Sequence, residues 1–208
     1  MSATDQPPGP EWLASGDPKN PFAFEVLDCR SIALNMMSST RDPQVAANFL
    51  GLRHSKASDL AGERPAEPMA VSCNFSIACN GPLVDGPIFV APEMEHKWDL
   101  FMHDGRVYAR RSWTGNVVHV ADAAWMRAGK FSVRTLQSDA GSVFGSPEFA
   151  KAQLHFLLRT YLERRLSPFP VPPPQARDEA SNIAWGGWSH YGRVAMFGCL
   201  LDVYPIAE

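Results

Sequence analysis

Long apolar runs are missing from this chain. Nothing in it approaches the ~18 consecutive apolar residues of a membrane span; the run at residues 194–201 is far shorter and carries Gly198. The first residues, MSATDQPPGPEW, have neither the basic nor the apolar segment of a secretory leader. The expectation is a soluble, cytoplasmic protein with no membrane partner. A strong excess of one charge is missing as well. Lys and Arg number 19 against 22 Asp and Glu, a formal charge of −3, which argues against a general electrostatic hold on nucleic acid. Sequence-specific nucleic-acid recognition has no motif behind it either.

Cysteine is scarce. Cys29, Cys73, Cys79 and Cys199 are the whole set, and none forms a C-x-x-C pair, so neither a zinc ribbon nor a thioredoxin-type site is indicated. In a cytosolic chain they are expected to be reduced and mostly buried. Phosphate-binding loops of the G-x-x-x-x-G-K-[ST] and G-x-G-x-x-G types are absent, as are H-E-x-x-H and G-x-S-x-G; the run GSVFGS lacks the required order. Glu93, Glu95 and His96 cluster in sequence but fit a charged loop better than a metal site. No motif names a reaction, so neither a cofactor nor a metal is expected.

What is present is a foldable chain of 208 residues with 45% apolar content, enough for one good core and too little for two. Residues 1–20 are rich in Pro, Gly, Asp and Ser and are expected to form a flexible arm before a single domain at 21–208. Phe22, Phe24 and Val26 alternate with Ala23 and Glu25, which predicts a strand. Asp42-Pro43 predicts a helix start, because Asp caps free N–H groups and Pro lacks one at the position where none is needed. The helix is expected over about 43–54, with Val45, Ala46, Phe49 and Leu52 on its apolar face, and a polar linker follows at 55–68. Ser146-Pro147 repeats the same logic for a helix to about residue 166. In that helix His155, Arg159 and Glu163 are spaced as surface support, and Arg164 and Arg165 suit the last turn.

Strand patterning dominates the middle. Val71, Cys73, Phe75 and Ile77 alternate with polar or small residues, a period of two that buries one face. Together with a short strand at 88–90, two tight turns within 97–121 and a strand at 130–137, this predicts an α+β fold. Its centre is an antiparallel meander over about residues 69–137, packed with two main helices at about 43–54 and 146–166. The Pro-rich run SPFPVPPP must be extended. In the tail, WGGWSHYGRVAMFG, Gly186-Gly187 argues against a continuous helix. A loop or short helix near 178–185 and a strand near 193–204 are expected.

The most informative segment is KWDLFMHDGRVYARRSWTGNVVHVAD, residues 97–122. Asp104-Gly105 suits a two-residue turn with positive φ at both positions. Centred there, it pairs His103 with Arg106, Met102 with Val107, Phe101 with Tyr108, Leu100 with Ala109, Asp99 with Arg110, and Trp98 with Arg111. A second turn at Thr114-Gly115 or Gly115-Asn116 carries the parity onward. One face then holds Trp98, Leu100, Met102, Val107, Ala109, Val118 and Val120. The other holds Asp99, Phe101, His103, Arg106, Tyr108, Arg110 and His119.

Chemistry follows from that second face. Arg110 can hold an anion, Asp99 can orient it, and His119 can serve as acid, base or donor. A solvated sheet face with cross-strand ion pairs accounts for the same pattern. Arg111 shares a face with Trp98, which suits a cation–π contact, and with Trp113 it can frame a ligand at the sheet edge. Trp185, Trp188, His190 and Tyr191, set among glycines, suit either an aromatic pocket or a core plug.

The K-W…Y-x-x-R-S-W-T-G pattern within this segment resembles that of an uncharacterised bacterial protein family. The resemblance covers about a tenth of the chain and brings no activity or catalytic residue with it. It implies that Lys97, Trp98, Arg111, Ser112, Trp113, Thr114 and Gly115 belong together.

Three functions remain open on the sequence. The leading one is a binding or interaction protein whose partner is another protein or a small anionic molecule. In it Arg110, Arg111, Trp113, Tyr108, Trp185 and Trp188 make the contacts. The second is a small enzyme acting on an anionic, phosphate-containing substrate through Arg110 and His119, with Asp99 and His190 as further candidates. The third is a structural subunit of an assembly. Oligomeric state is not legible.

Overall fold

Alternation of buried and exposed residues puts strand β3 (Pro68–Ala78) at one edge of a sheet, with Val71, Cys73, Phe75 and Ile77 all buried. The computed structural model describes residues 9–126 and 129–206. The sheet continues through β8 (Lys130–Asp139), β7 (Val117–Met126), β6 (Arg106–Arg111) and β5 (Trp98–His103) to β4 (Gly86–Phe89) at the far edge. All five pairings are antiparallel. The fold is α+β, and no helix among the described residues is long and apolar enough to cross a membrane. All four cysteines are free thiols, three of them buried.

Helix α3 (Pro147–Tyr161) lies across the sheet. Ser146 accepts a hydrogen bond from the Phe149 N–H, and Pro147 occupies the first turn. Its inner side reaches β3 where Phe75 meets His155 edge-on, and β4 where Phe89 stacks on Tyr161 at 4.0 Å. It ends at Tyr161, short of 166. Arg164 adopts a positive φ of 54° beyond the end, so Arg164 and Arg165 do not occupy the last turn. His155 is buried against Phe75 rather than on the surface; Arg159 and Glu163 do pair, at 3.2 Å.

A second, smaller sheet sits beside the first. It contains β1 (Glu11–Leu13), β2 (Val26–Asp28), β10 (Phe197–Cys199) and β9 (Phe169–Pro170), in that order. Residues 11–13 are therefore a strand rather than part of a free arm, and Trp12 donates its indole N–H to the Arg177 carbonyl. Residues 1–8 of the expected arm lie outside the described residues. The strand expected from Phe22 starts only at Val26, and a one-turn helix α1 (Arg30–Ala33) follows. Helix α2 (Pro43–Leu52) forms as expected, with Asp42 accepting from the Gln44 N–H. Of its apolar face only Phe49 is buried.

Helix α4 (Ala180–Tyr191) runs straight through Gly186-Gly187, against expectation. Packing overrides the intrinsic cost of glycine in a helix. A Cβ at Gly187 would overlap the ring of Phe169, and one at Gly198 would meet the same ring at 2.9 Å. The two glycines make the slot in which that fully buried phenyl ring sits.

The Asp104-Gly105 turn has φ of 45° and 70°, and all six expected β5–β6 pairs are present. The second turn also keeps parity, since Arg110 stands opposite Val117. A β-bulge at Val118 then changes it. Ala109 pairs with His119 and Tyr108 with Val120. One extra residue on one strand moves everything after it to the other face. His119 therefore lies on the α3 side with Leu100 and Ala109, and Val120 joins Phe101 and Tyr108.

Candidate functional site

The face expected to be wet is covered at its centre. The stretch at 55–68 is not only a linker, because Ala57–Leu60 form a 3-10 turn whose Ala57 and Leu60 pack on Phe101, Tyr108 and Val117. Beneath it Arg110 and Asp99 are 3% and 2% exposed. Arg110 donates to Asp99 at 3.1 Å and to the Leu52 carbonyl at 2.9 Å, and it lies 4.9 Å over the Phe101 ring. Asp99 also accepts the Ala91 N–H at 2.9 Å. Burial pushes the Asp99 carboxyl up, against the hydrogen bond from Ala91 and the charge of Arg110. This is a satisfied internal pair with Tyr108 packed beside it. Of the polar residues expected on this face, His103 and Arg106 at the hairpin end reach solvent, each beside an aspartate, Asp85 and Asp122 respectively.

His119 has its own enclosure on the other side. Its Nδ1 meets Ser138 Oγ and its Nε2 meets Gln153 Oε1, both at 2.8 Å, and Gln153 donates onward to the Tyr191 hydroxyl at 3.0 Å. Burial drives its pKa down to about 4, so the ring is neutral near pH 7. Gln153 can only accept at Oε1, which places the ring proton on Nε2 and leaves Nδ1 to accept from Ser138. Arg110 and His119 thus sit on opposite faces and cannot act on one substrate, contrary to the pairing expected from unbroken parity.

A different set of residues converges at the open end of the second hairpin. The approach begins at Gly192, where the chain leaves α4 with φ 66°, and a Cβ would overlap the Glu95 carbonyl oxygen. Glycine lets residues 95–97 lie directly against the helix end, bridging His96 to Gly192. That contact brings Lys97 and Trp98 alongside α4. Trp98 and Arg111 both donate to the His190 carbonyl at 2.7 Å, and Arg111 also donates to the Ser189 carbonyl at 3.1 Å. Arg111 complements the negative end of the α4 dipole there and lies 4.9 Å over the Trp98 ring, the expected cation–π contact.

The result is a cavity of about 700 Å³ between the hairpin, α4 and the segment at 37–39. Lys97, Arg111, Trp98, Trp113 and Trp188 line it, together with Ser38 and His190. Lys97 Nζ sits 4.2 Å from the centre of the Trp113 ring and 5.5 Å from that of Trp188. It donates to Ser38 Oγ at 2.6 Å and to the Met94 carbonyl at 2.9 Å. Glu95, whose charge acts on Lys97, spends an oxygen on the Ser38 N–H at 3.0 Å. Both cations therefore rest on uncharged oxygens. Burial lowers Lys97 to about 8, with the charge of Arg111 adding to it, and burial lowers Arg111 to about 10. Among the described residues no three His, Cys, Asp or Glu side chains converge as metal ligands.

Of the residues singled out on the sequence, Arg111, Trp113, Trp188 and His190 meet in this cavity, and so do Lys97, Trp98 and Thr114 from the K-W…R-S-W-T-G group. Ser112 supports them from behind, donating to the His96 carbonyl at 2.7 Å. Asp99, Arg110, Tyr108 and His119 do not reach it, and Trp185 points outward, 47% exposed. Ser38, Ser142, Asn116 and Gln153 also line the cavity. The sequence carries no local signal for Ser38 or Ser142, since neither lies in a patterned element. No protein-family model, curated protein or solved structure matches the chain.

Proposed function

We propose that the protein binds a small anionic ligand with a flat apolar portion in the cavity between the second hairpin and α4. The carrying observation is a pair of cations, buried Lys97 and half-buried Arg111, resting on carbonyl and hydroxyl oxygens beside an open cavity. A buried cation without a carboxylate partner is electrostatically unfinished, and an incoming phosphate or carboxylate completes it. Guanidinium donors suit a planar or tetrahedral oxyanion, and the Trp113 and Trp188 indoles line the cavity where a ring can lie. A cavity of about 700 Å³ falls in the size range of small-molecule sites.

Phenyl phosphate and benzoate are suitable probes, because each joins an anion to a ring. Titration followed by tryptophan fluorescence and by calorimetry is expected to show saturable binding that weakens with added salt. Aniline, an uncharged ring at neutral pH, is expected to bind far less. Equal affinity for all three, or none at millimolar concentration, overturns the proposal. A protein partner has less support, since the aromatic–cation cluster lines a concave cavity rather than a broad face.

A further inference from the structure

We propose that Ser38 and Lys97 form a nucleophile–base pair, and that the cavity hydrolyses acyl esters of aromatic anions. This rests on the anion-binding role of the cavity and adds a reaction to it.

The geometry comes first. Ser38 Oγ and Lys97 Nζ are 2.6 Å apart, and both line the cavity. Each partner is held by a second contact: Nζ by the Met94 carbonyl, and the Ser38 backbone by Glu95. A neutral amine in this position donates one N–H to Met94 and turns its lone pair to the serine hydroxyl. That is the arrangement in which a lysine removes the proton of an attacking serine. A lysine with a purely structural role would more simply pair with Glu95, whose carboxylate is turned to the Ser38 N–H instead.

Burial and the charge of Arg111 make the neutral amine accessible near pH 8, against the Trp113 and Trp188 rings, which favour the ammonium. Lys97 is buried, Arg111 faces it from β6, and His96 stands beside it on the same strand approach. His190 of α4 lines the same cavity. Glu95 is the opposing acid and holds the ammonium only in part. With its pKa at about 8, roughly a tenth of Lys97 is neutral at pH 7, enough for a general base. Arg111 fixes the anionic end of the substrate. Asn116 lines the same cavity and, with the N–H groups Arg111 does not spend on carbonyls, is a donor available to the tetrahedral oxyanion.

The chemistry balances without a co-reactant other than water. Ser38 Oγ bonds to the acyl carbon as its proton passes to Nζ. The ester C–O bond breaks, and the alcohol leaves with that proton. Water then attacks the acyl-serine, giving a proton to Nζ, and the carboxylic acid leaves as Ser38 regains its hydrogen.

A fluorophosphonate probe tests the pair directly, because the serine oxygen displaces fluoride from phosphorus and stays labelled. Intact mass and peptide mapping are expected to place one adduct on Ser38, at a rate that rises as pH passes through about 8. Lys97→Arg, which keeps the charge but supplies no base, is expected to lower the rate at least a hundredfold. 4-Acetoxybenzoate is expected to be cleaved to 4-hydroxybenzoate and acetate, and Ser38→Ala to lose that cleavage. Should Lys97→Arg fail to fold by circular dichroism, the pH profile of the unaltered chain decides. No adduct on Ser38, or an adduct whose rate is flat from pH 6 to 9, overturns the pair. Phenyl phosphate binding without labelling retains the cavity and removes the dyad. Labelling of Ser38 without phenyl phosphate binding retains the dyad and removes the anion reading.

Discussion

Arg110 and Arg111 are consecutive on one strand and meet opposite fates. Successive side chains of a strand point to opposite faces. Arg110 falls on the side where Asp99 is already opposite, and the two close on each other under the 3-10 turn. Arg111 falls on the side of Trp98 and α4, where only backbone carbonyls and rings receive it. Burial of a cation is therefore not itself a mark of function. What differs is that the buried charge of Arg110 is neutralised within the chain, whereas half-buried Arg111 is left for a ligand.

The sharpest way to break this contrast is to unpair the first arginine. Asp99→Ala should destabilise the protein by about 3–5 kcal/mol in urea unfolding, because it leaves Arg110 charged and buried. Adding Arg110→Met should recover much of the loss, and the phenyl phosphate affinity of the double variant should stay near that of the unaltered chain. Next in size is the response to acid. His119 is held at about 4, mainly by burial, against its ordinary 6.5. His155 is lowered by burial to about 3. The unfolded chain takes up these protons first, so stability is full above about 6.5 and falls as pH drops towards 4. For His119 alone the loss between pH 7 and 4.5 should be about 2–3 kcal/mol, and His119→Gln should flatten the urea midpoint over that range.

On the ligand side, Arg111→Met should weaken phenyl phosphate binding about tenfold, ~1.4 kcal/mol, and move the urea midpoint much less than Asp99→Ala does. An equal effect on stability would erase the distinction between the two arginines. The smallest effect belongs to Lys97. As pH rises through about 8 it loses its charge, so phenyl phosphate affinity should fall a few-fold between pH 7 and 9. Calorimetry should show no such fall in Lys97→Arg. The stability term has its own sign: the folded chain holds fewer protons than the unfolded one between about 8 and the ordinary 10.5, so Lys97 favours folding more as pH rises across that window.

Legibility on the sequence followed the range of the interactions involved. The caps at Asp42 and Ser146, the alternation in β3 and the Asp104-Gly105 register depend on neighbours within a few residues, and each appears as expected. The failures are non-local. Val118 bulges with no Gly or Pro to announce it, and that one residue carried His119 away from Arg110. Gly186-Gly187 stayed helical because Phe169, distant in sequence, needed the space. Ser38 reaches Lys97 across 59 positions, and nothing in MMSST distinguishes it from any other loop serine.

The sequence by itself determined an α+β chain and a meander with its first hairpin in register, which sets Trp98 opposite Arg111. These follow from backbone periodicity and turn chemistry, which are local. The tertiary structure alone decided which arginine was neutralised and which was left open, because that depends on what packs over each face. It also decided that Ser38, the hairpin and α4 share a cavity, since residues 95–97 can lie against the helix end only where Gly192 leaves out a side chain.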